Sequence, residues 1–270
     1  MGQKSTGRIK NMTNKTLEEK LIAYYTRYYR DICSLSDYQQ RVENRLREED
    51  QDLDRLQRLE KILRLDFHRK KHFIVGAGTG GLAIVLRRHY QGEIFGIEPS
   101  LEELEIIKLK CQDYGINSDH FTAEVGEKIS APDQAFDFVF CVTVLEHVQN
   151  VEQCLDEMIR ITKSGGGIYI KTPNYAYPYE GHYKTHLPLW SKTLSRFVLR
   201  LARRSDQFLK TINLFTASDL DAVLMKKKNI YWQRIYEPVS ISGGPWGRLL
   251  NYLKFKKGVY PTQDIFITKL

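Results

Sequence analysis

Residues 72–75, His-Phe-Ile-Val, form a short apolar run that stops at Gly76-Ala-Gly78-Thr-Gly80-Gly81 and gives way to a helix-like stretch, 82–89. Four glycines in six residues, set between a strand-like and a helix-like segment, leave the backbone few options. They suit a tight strand-to-helix turn, where positive φ and close backbone approach are needed. The alternation then repeats. Residues 94–97 read as a strand ending in Glu98, and 100–114 as a helix with Ser100 as N-cap and Glu103 in the capping-box position. Residues 136–141 read as a strand, 151–162 as a helix closed by Lys163-Ser-Gly-Gly-Gly167, and 168–172 as another strand. Thr216-Ala-Ser218 opens a helix to about Lys228, and strands follow at 230–235 and 265–269. Strands alternating with helices require right-handed crossovers and a mostly parallel sheet with helices on both faces, an α/β fold.

Two regions depart from this rhythm. Residues 1–15 read as disordered, and 16–66, which contain neither Gly nor Pro, as one or two long helices. Val42, Leu46, Leu53, Leu56, Glu60 and Leu63 fall on one face of that region. The i,i+4 pairs Tyr24/Tyr28 and Tyr25/Tyr29 read as packing residues, with a lid over a site as the alternative. Residues 67–270 then form the main domain, in which 173–214, with Pro173, Pro178, Gly181 and Pro188, read as a cap inserted over the C-terminal edge of the strands. Within it, Trp190, Leu194, Phe197, Val198 and Leu201 share one helical face, opposite Lys192, Arg196, Arg200 and Arg203.

The net charge of +8 is unevenly spread: residues 184–210 carry +6 and 225–260 carry +7, so the remainder is acidic. A basic C-terminal third suits a polyanionic partner or an anionic surface. No stretch is long and apolar enough to span a bilayer, and the polar N-terminus has no apolar signal core. Cytoplasmic placement is expected, peripheral at the inner membrane face if the basic third meets lipid. The four cysteines (33, 111, 141, 154) form no CxxC pair and read as reduced, mostly buried thiols. Met1-Gly2 with Thr6, and the Asn11 and Asn14 sequons, match loose modification patterns common by chance.

Gly76, Gly78 and Gly81 satisfy GxGxxG, and Glu98 ends the next strand, where a carboxylate can accept both hydroxyls of a ribose. NAD and S-adenosylmethionine both carry an adenosine ribose, so these two features leave both open. The wider pattern does more. Ala135-Phe-Asp-Phe-Val-Phe-Cys141-Val-Thr-Val-Leu145-Glu146-His147-Val148, then a helix, then Gly165-Gly-Gly-Ile-Tyr-Ile-Lys-Thr-Pro-Asn174, resembles the class I S-adenosylmethionine-dependent methyltransferases. The resemblance covers residues 72 to about 175, with a family-like tail at 215–270. It implies a Rossmann-like sheet of seven strands, the last antiparallel to its neighbours. It assigns Gly76, Ala77, Gly78 and Gly80 to the loop around the methionine moiety, and Glu98 with Pro99 to the ribose. Ala123-Glu124 fall on the adenine side and Cys141-Val142 on the floor beside the cofactor. The family usually has an acid two positions before the first loop glycine; here that residue is Ile74.

Methyl transfer to a hydroxyl needs an aligned acceptor and removal of a proton. His147, and His182 and His186 in the cap, are the candidate bases, because imidazole titrates near neutrality. The Leu-Glu-His segment is similar to that of ubiquinone-pathway O-methyltransferases, in which Glu and His hold a divalent ion with an acid three positions earlier. Thr143 occupies that place, and no metal is expected; Glu146 reads as a helix-capping and packing residue. The wording Lys171-Thr-Pro-Asn-Tyr-Ala-Tyr-Pro-Tyr-Glu-Gly-His182 is similar to methyltransferases of bacterial cell-surface glycan and lipopolysaccharide assembly. The acceptor it implies is a saccharide or lipid-linked glycan. An RNA methyltransferase, a small-molecule or quinone O-methyltransferase, and a non-catalytic binding module with this fold are the alternatives. No Asn/Asp-Pro-Pro-Tyr segment follows Cys141, which places nucleic acid behind the glycan.

Overall fold

The computed structural model describes residues 12–235, 258 and 260–270. β1 (Lys71–Val75), β2 (Glu93–Ile97), β3 (Phe121–Thr122), β4 (Phe136–Val142), β5 (Thr162–Pro173), β8 (Ile230–Arg234) and β9 (Thr262–Lys269) form one seven-stranded sheet, ordered β3-β2-β1-β4-β5-β9-β8. Strands β1 to β5 pair in parallel, and β9 is antiparallel to both β5 and β8. A two-residue hairpin, β6 (Tyr179–Glu180) with β7 (Thr185–His186), stands apart in the cap. The α/β class and the Rossmann-like sheet expected of the sequence are those observed.

Helices cover both faces. α4 (Gly81–Tyr90) and α5 (Leu101–Tyr114) bury Leu82, Ile84, Leu86, Leu104 and Ile107 against one face with Phe121, Phe140 and Tyr169. α6 (Val151–Ile161) and α9 (Ala217–Leu224) bury Cys154, Leu155, Met158, Leu220 and Leu224 against the other with Val139, Ile168 and Ile267. Side chains cap the helix starts: Ser100 accepts from Glu103 N–H as the sequence implies, but its own N–H goes to Glu98 rather than closing a capping box with Glu103, whereas Thr216 with Asp219 forms a full one. α9 stops at Leu224, short of the expected Lys228. All four cysteines are buried and unpaired.

The N-terminal region departs from expectation. It forms three helices, α1 (Met12–Thr26), α2 (Tyr38–Arg45) and α3 (Glu48–Leu63), with a π-helical turn, Arg27–Ile32, continuing α1. Residues 12–15 belong to α1 rather than to a disordered start; 1–11 lie outside the described residues. The chain turns at Ser34, whose φ is +55°, and again at Leu46–Arg47, so the single apolar face divides in two. Val42 joins Leu17, Leu21, Tyr25 and Ile106, whereas Leu56 and Leu59 are fully buried in the sheet's own core. α3 thus packs its buried edge on the sheet of the main domain.

The triple glycine is a second departure. β5 begins at Thr162, directly after α6, and runs through Gly165-Gly166-Gly167 with a register shift opposite Phe136/Phe138. A Cβ on Gly167 would lie 2.3 Å from the Phe266 ring. Glycine lets the β9 aromatic lie flat on β5, so the segment is strand rather than a closing turn. Residues 236–257 of the basic stretch 225–260 lie outside the described residues, as do Gly2, Thr6 and the Asn11 sequon's acceptor.

Leu56→Ala should lower unfolding stability by about 2–5 kcal/mol while leaving a single transition in urea. A main transition unmoved by this change would mark the N-terminal helices as a separate unit.

Candidate active site

Strand order reverses between β1 and β4, which opens a crevice at their C-terminal ends, where open α/β sheets bind ligands. The glycine loop leaves β1 at this point. Gly76, Gly78 and Gly80 have φ of +66°, +56° and +84°, the left-handed region that favours glycine. A Cβ on Gly76 would lie 2.3 Å from Val144, so the loop can press against the segment after β4 only without a side chain. A Cβ on Gly78 would meet nothing within 4 Å; that side of the loop is open.

Glu98 holds the loop in place. Its carboxylate accepts Gly78 N–H at 2.8 Å and Ser100 N–H at 2.9 Å, tying the loop to the end of β2 and the start of α5. Ile74, where the family usually has an acid, is buried in the core, and Glu98 supplies a carboxylate to the loop from the neighbouring strand. Glu98 is 5% exposed, and burial, then nearby Glu103, push its pKa up to about 7. Ala77 N–H donates to Ile97 O, and Pro99 is exposed between Glu98 and the cap of α5. Beyond β3, Ala123 is exposed, while Glu124 spends its two oxygens on Thr122 Oγ1 and Ser130 N–H, closing its own loop. Cys141 is fully buried, and Val142 is half-buried at the crevice end of β4.

Thr143 follows with φ +56°, a strained conformation for a β-branched residue, held by its N–H to Lys171 O at 2.7 Å. That turn swings Glu146 inward. Glu146 is 1% exposed and accepts Thr172 Oγ1 at 3.0 Å; Asn150, not Glu146, caps α6. Burial raises the Glu146 pKa to about 7. The cap closes over this point. The Glu180 carboxylate, wholly buried, receives His182 Nδ1–H at 2.7 Å and Tyr183 N–H at 2.8 Å. His182 stacks on Phe208 at 4.4 Å and meets the His147 ring edge at 5.2 Å. His147 keeps an exposed surface although protein crowds it; desolvation, then His182, lower its pKa to about 4. Tyr175, whose buried hydroxyl has no hydrogen-bond partner, completes the group.

His147 and His182 thus come together, and His186 does not. On β7 it is exposed against Tyr177 and Tyr179, on the outer side of the hairpin. Glu180 escaped the sequence reading; a carboxylate two residues before a candidate base in a cap was the signal available. Tyr25, a packing residue by its spacing with a lid over a site as the alternative, bonds Thr79 Oγ1 inside the glycine loop through its hydroxyl at 2.7 Å. Tyr24 bonds Glu103, and Tyr28 meets Phe208 at 6.0 Å, so α1 bridges the loop and the cap. Among the described residues no cluster of three or more His, Cys, Asp or Glu side chains is arranged to hold a metal ion.

A family model described as a methyltransferase domain matches residues 74–170, the span from β1 into β5 that contains the loop, Glu98 and Glu146-His147. Residues 74–170 carry a methyltransferase domain. A ubiquinone biosynthesis O-methyltransferase of Klebsiella pneumoniae is 31% identical to this chain over 105 residues, 39% of the chain and 43% of that protein. Ajmaline N-methyltransferase of Rauvolfia serpentina is 33% identical over 98 residues, 36% of the chain and 33% of that protein. The methyltransferase domain thus aligns with less than half the length of either relative, and their names differ in the atom methylated. A putative sarcosine dimethylglycine methyltransferase from Galdieria sulphuraria superposes with a TM-score of 0.55 at 13% identity, covering 92% of this chain and 97% of that one. A putative S-adenosylmethionine-dependent methyltransferase from Listeria monocytogenes gives 0.53 at 16%, covering 79% and 97%. These likenesses establish the fold of the methyltransferase domain and not its acceptor.

The buried Glu146 gives a stability signature. Its folded pKa stands above the unfolded value, so the fold favours the protonated form, and stability falls as pH rises from about 4.5 to about 7 and then levels. Glu146→Gln, which keeps an acceptor for Thr172, should raise the melting temperature by a few degrees at pH 8 and hardly at pH 5, as read by calorimetry.

Proposed function

We propose that this chain transfers the methyl group of S-adenosylmethionine to a hydroxyl oxygen. The observation that carries the reading is the Glu180–His182 pair, held in the cap beside the ends of β4 and β5. When bound, the cofactor supplies an electrophilic methyl on sulfur. The protein's part is to bind, orient and deprotonate. The loop glycines offer backbone and an open side at Gly78 to the methionine moiety, with Gly76, Ala77 and Gly80 shaping the turn. Glu98, already fixed by two N–H groups, has lone pairs left for the ribose hydroxyls, beside Pro99. Ala123 and Glu124 border the adenine, and Cys141-Val142 form the floor.

Glu180 accepts Nδ1–H and so leaves Nε2 of His182 as the free lone pair. Nε2 takes the acceptor's proton as its oxygen attacks, and Glu180 stabilises the imidazolium that results. His147, neutral at neutral pH, does not oppose that charge. Glu146 and Thr172 position the floor of the acceptor site.

The acceptor we infer is a saccharide or lipid-linked glycan. A cavity of about 450 Å³, lined by Tyr175, Pro178, Leu189, Trp190, Lys192 and Leu214 among others, adjoins the polar cluster through Tyr175. Aromatic faces with few polar groups suit sugar rings or an attached lipid, and among the described lining residues a phosphodiester backbone would find one cation, Lys192, whose Nζ is bound to Ile212 O. The name of the Klebsiella relative favours a second reading, a phenolic quinone precursor.

Calorimetric titration should show binding of S-adenosylmethionine and S-adenosylhomocysteine but not NAD; NAD binding alone would overturn the reading. His182→Ala should cut turnover about 10²–10⁴-fold on a hydroxyl acceptor while S-adenosylhomocysteine still binds. Turnover assays over glycan, lipid-linked glycan and catechol acceptors separate the two acceptor classes. Cofactor affinity should rise between pH 6 and pH 8, because the hydroxyls donate to ionised Glu98, and then level. Glu98→Gln should abolish that slope, and Glu98→Ala should weaken binding sharply with folding intact; unchanged affinity would remove Glu98 from the ribose site.

A further inference from the structure

α7 (Lys192–Leu201) turns its apolar face outward. Trp190 is 81% exposed, Phe197 57%, Leu201 69%, Leu194 43% and Val198 37%. A helix packed on the protein by this face would bury these side chains, and here they face outward. Leu199 and Ser195 point inward instead, Leu199 into the cap's own cluster with Tyr183 and Leu209, and Ser195 Oγ to Pro188 O at 2.9 Å. The helix is therefore anchored by one narrow edge, and its wide apolar edge is left in water at a cost that a monomer in solution does not recover.

We propose that this face docks on an anionic lipid bilayer, with α7 lying in the plane of the headgroup–acyl boundary. Charge argues for lipid. Arg196 and Arg200, an i,i+4 pair, lie next to Phe197 at one edge of the apolar stripe, and exposed Arg203 follows just past the helix end, while Lys192 is bound to Ile212 O. Asp206 is shared among Arg196 at 2.8 Å, Arg200 at 2.9 Å and Lys210 at 3.4 Å, so one acid serves three cations and the flank stays positive. An apolar face bordered by basic residues is the signature of a helix held at an anionic interface. A symmetric dimer through the same face would set this basic flank against its own copy. A nucleic acid would have no use for the outward aromatic and aliphatic stripe.

The face also leads somewhere. Trp190 heads the stripe and lines the cavity beside Tyr175, so a bilayer under α7 would present lipid-borne material at the mouth of that cavity. This last link rests on the methyltransferase reading; the docking surface itself does not.

The test is co-sedimentation of the full chain with vesicles of phosphatidylcholine alone and of phosphatidylcholine mixed with phosphatidylglycerol. Binding is expected to the mixed vesicles, at least about tenfold stronger than to phosphatidylcholine, and to weaken with salt. Phe197→Ser with Leu201→Ser, and separately Arg203→Glu, should each lower it at least about tenfold. Both variants should keep the wild-type melting temperature, and their affinity for S-adenosylhomocysteine is measured alongside. No wild-type binding overturns the proposal. So does binding that both variants retain, which would assign it elsewhere in the basic third. A dimer in ultracentrifugation that the Phe197/Leu201 variant dissolves would give the face to a second copy. Absent cofactor binding with vesicle binding intact would defeat the proposed activity and spare the docking surface.

Discussion

The Glu98 carboxylate is the joint on which the crevice depends. It stands at the end of β2, accepts one N–H from the loop after β1 and one from the first turn of α5, and so fixes three elements at a single point. Burial makes those two bonds count, since a carboxylate this far from water needs donors to remain charged. The loop it holds is in turn pressed against Val144, and the strained turn at Thr143 decides which way Glu146 and His147 face. A disturbance at Glu98 would therefore be felt at both ends of the crevice.

The cap obeys a different logic. It carries its own small core of Tyr175, Tyr183, Leu187, Leu189, Leu199, Leu209 and Ile212, which lets it hold a buried carboxylate away from the sheet. Arg204 reaches from the cap to Tyr183 O and Cys33 O, and Tyr25 reaches from α1 to Thr79. Glycine loop, N-terminal helices and cap are thus linked by directional bonds rather than by apolar contact alone. This arrangement positions polar groups while leaving the outward face of α7 free.

Much of the fold was legible in the sequence because its signals are local. Apolar runs, the glycine turn, and the caps at Ser100 and Thr216 each depend on a handful of adjacent residues. The failures were those where tertiary contact overrides a local pattern. A glycine cluster after a helix resembles a stop, but the Phe266 ring across the sheet makes it strand. A helical face from Val42 to Leu63 looked continuous, but two different cores compete for its halves. At the site, two of three candidate histidines meet, while His186 is turned away by the pleat of a two-residue strand.

By itself the sequence determined the strand–helix alternation, the glycine loop with its acid one strand on, and the reservoir of histidines in the cap. Period, backbone tolerance and side-chain chemistry are properties of neighbouring residues, so they can be read along the chain. Only the tertiary structure decided that Glu180 orients His182, that Thr172 meets Glu146, that Tyr25 touches the loop 54 residues away, and that α7 shows its apolar edge to the outside. Those outcomes depend on how separately stable pieces pack. Packing is settled by the volume and hydrogen-bond demands of the whole core, which no single stretch of sequence contains.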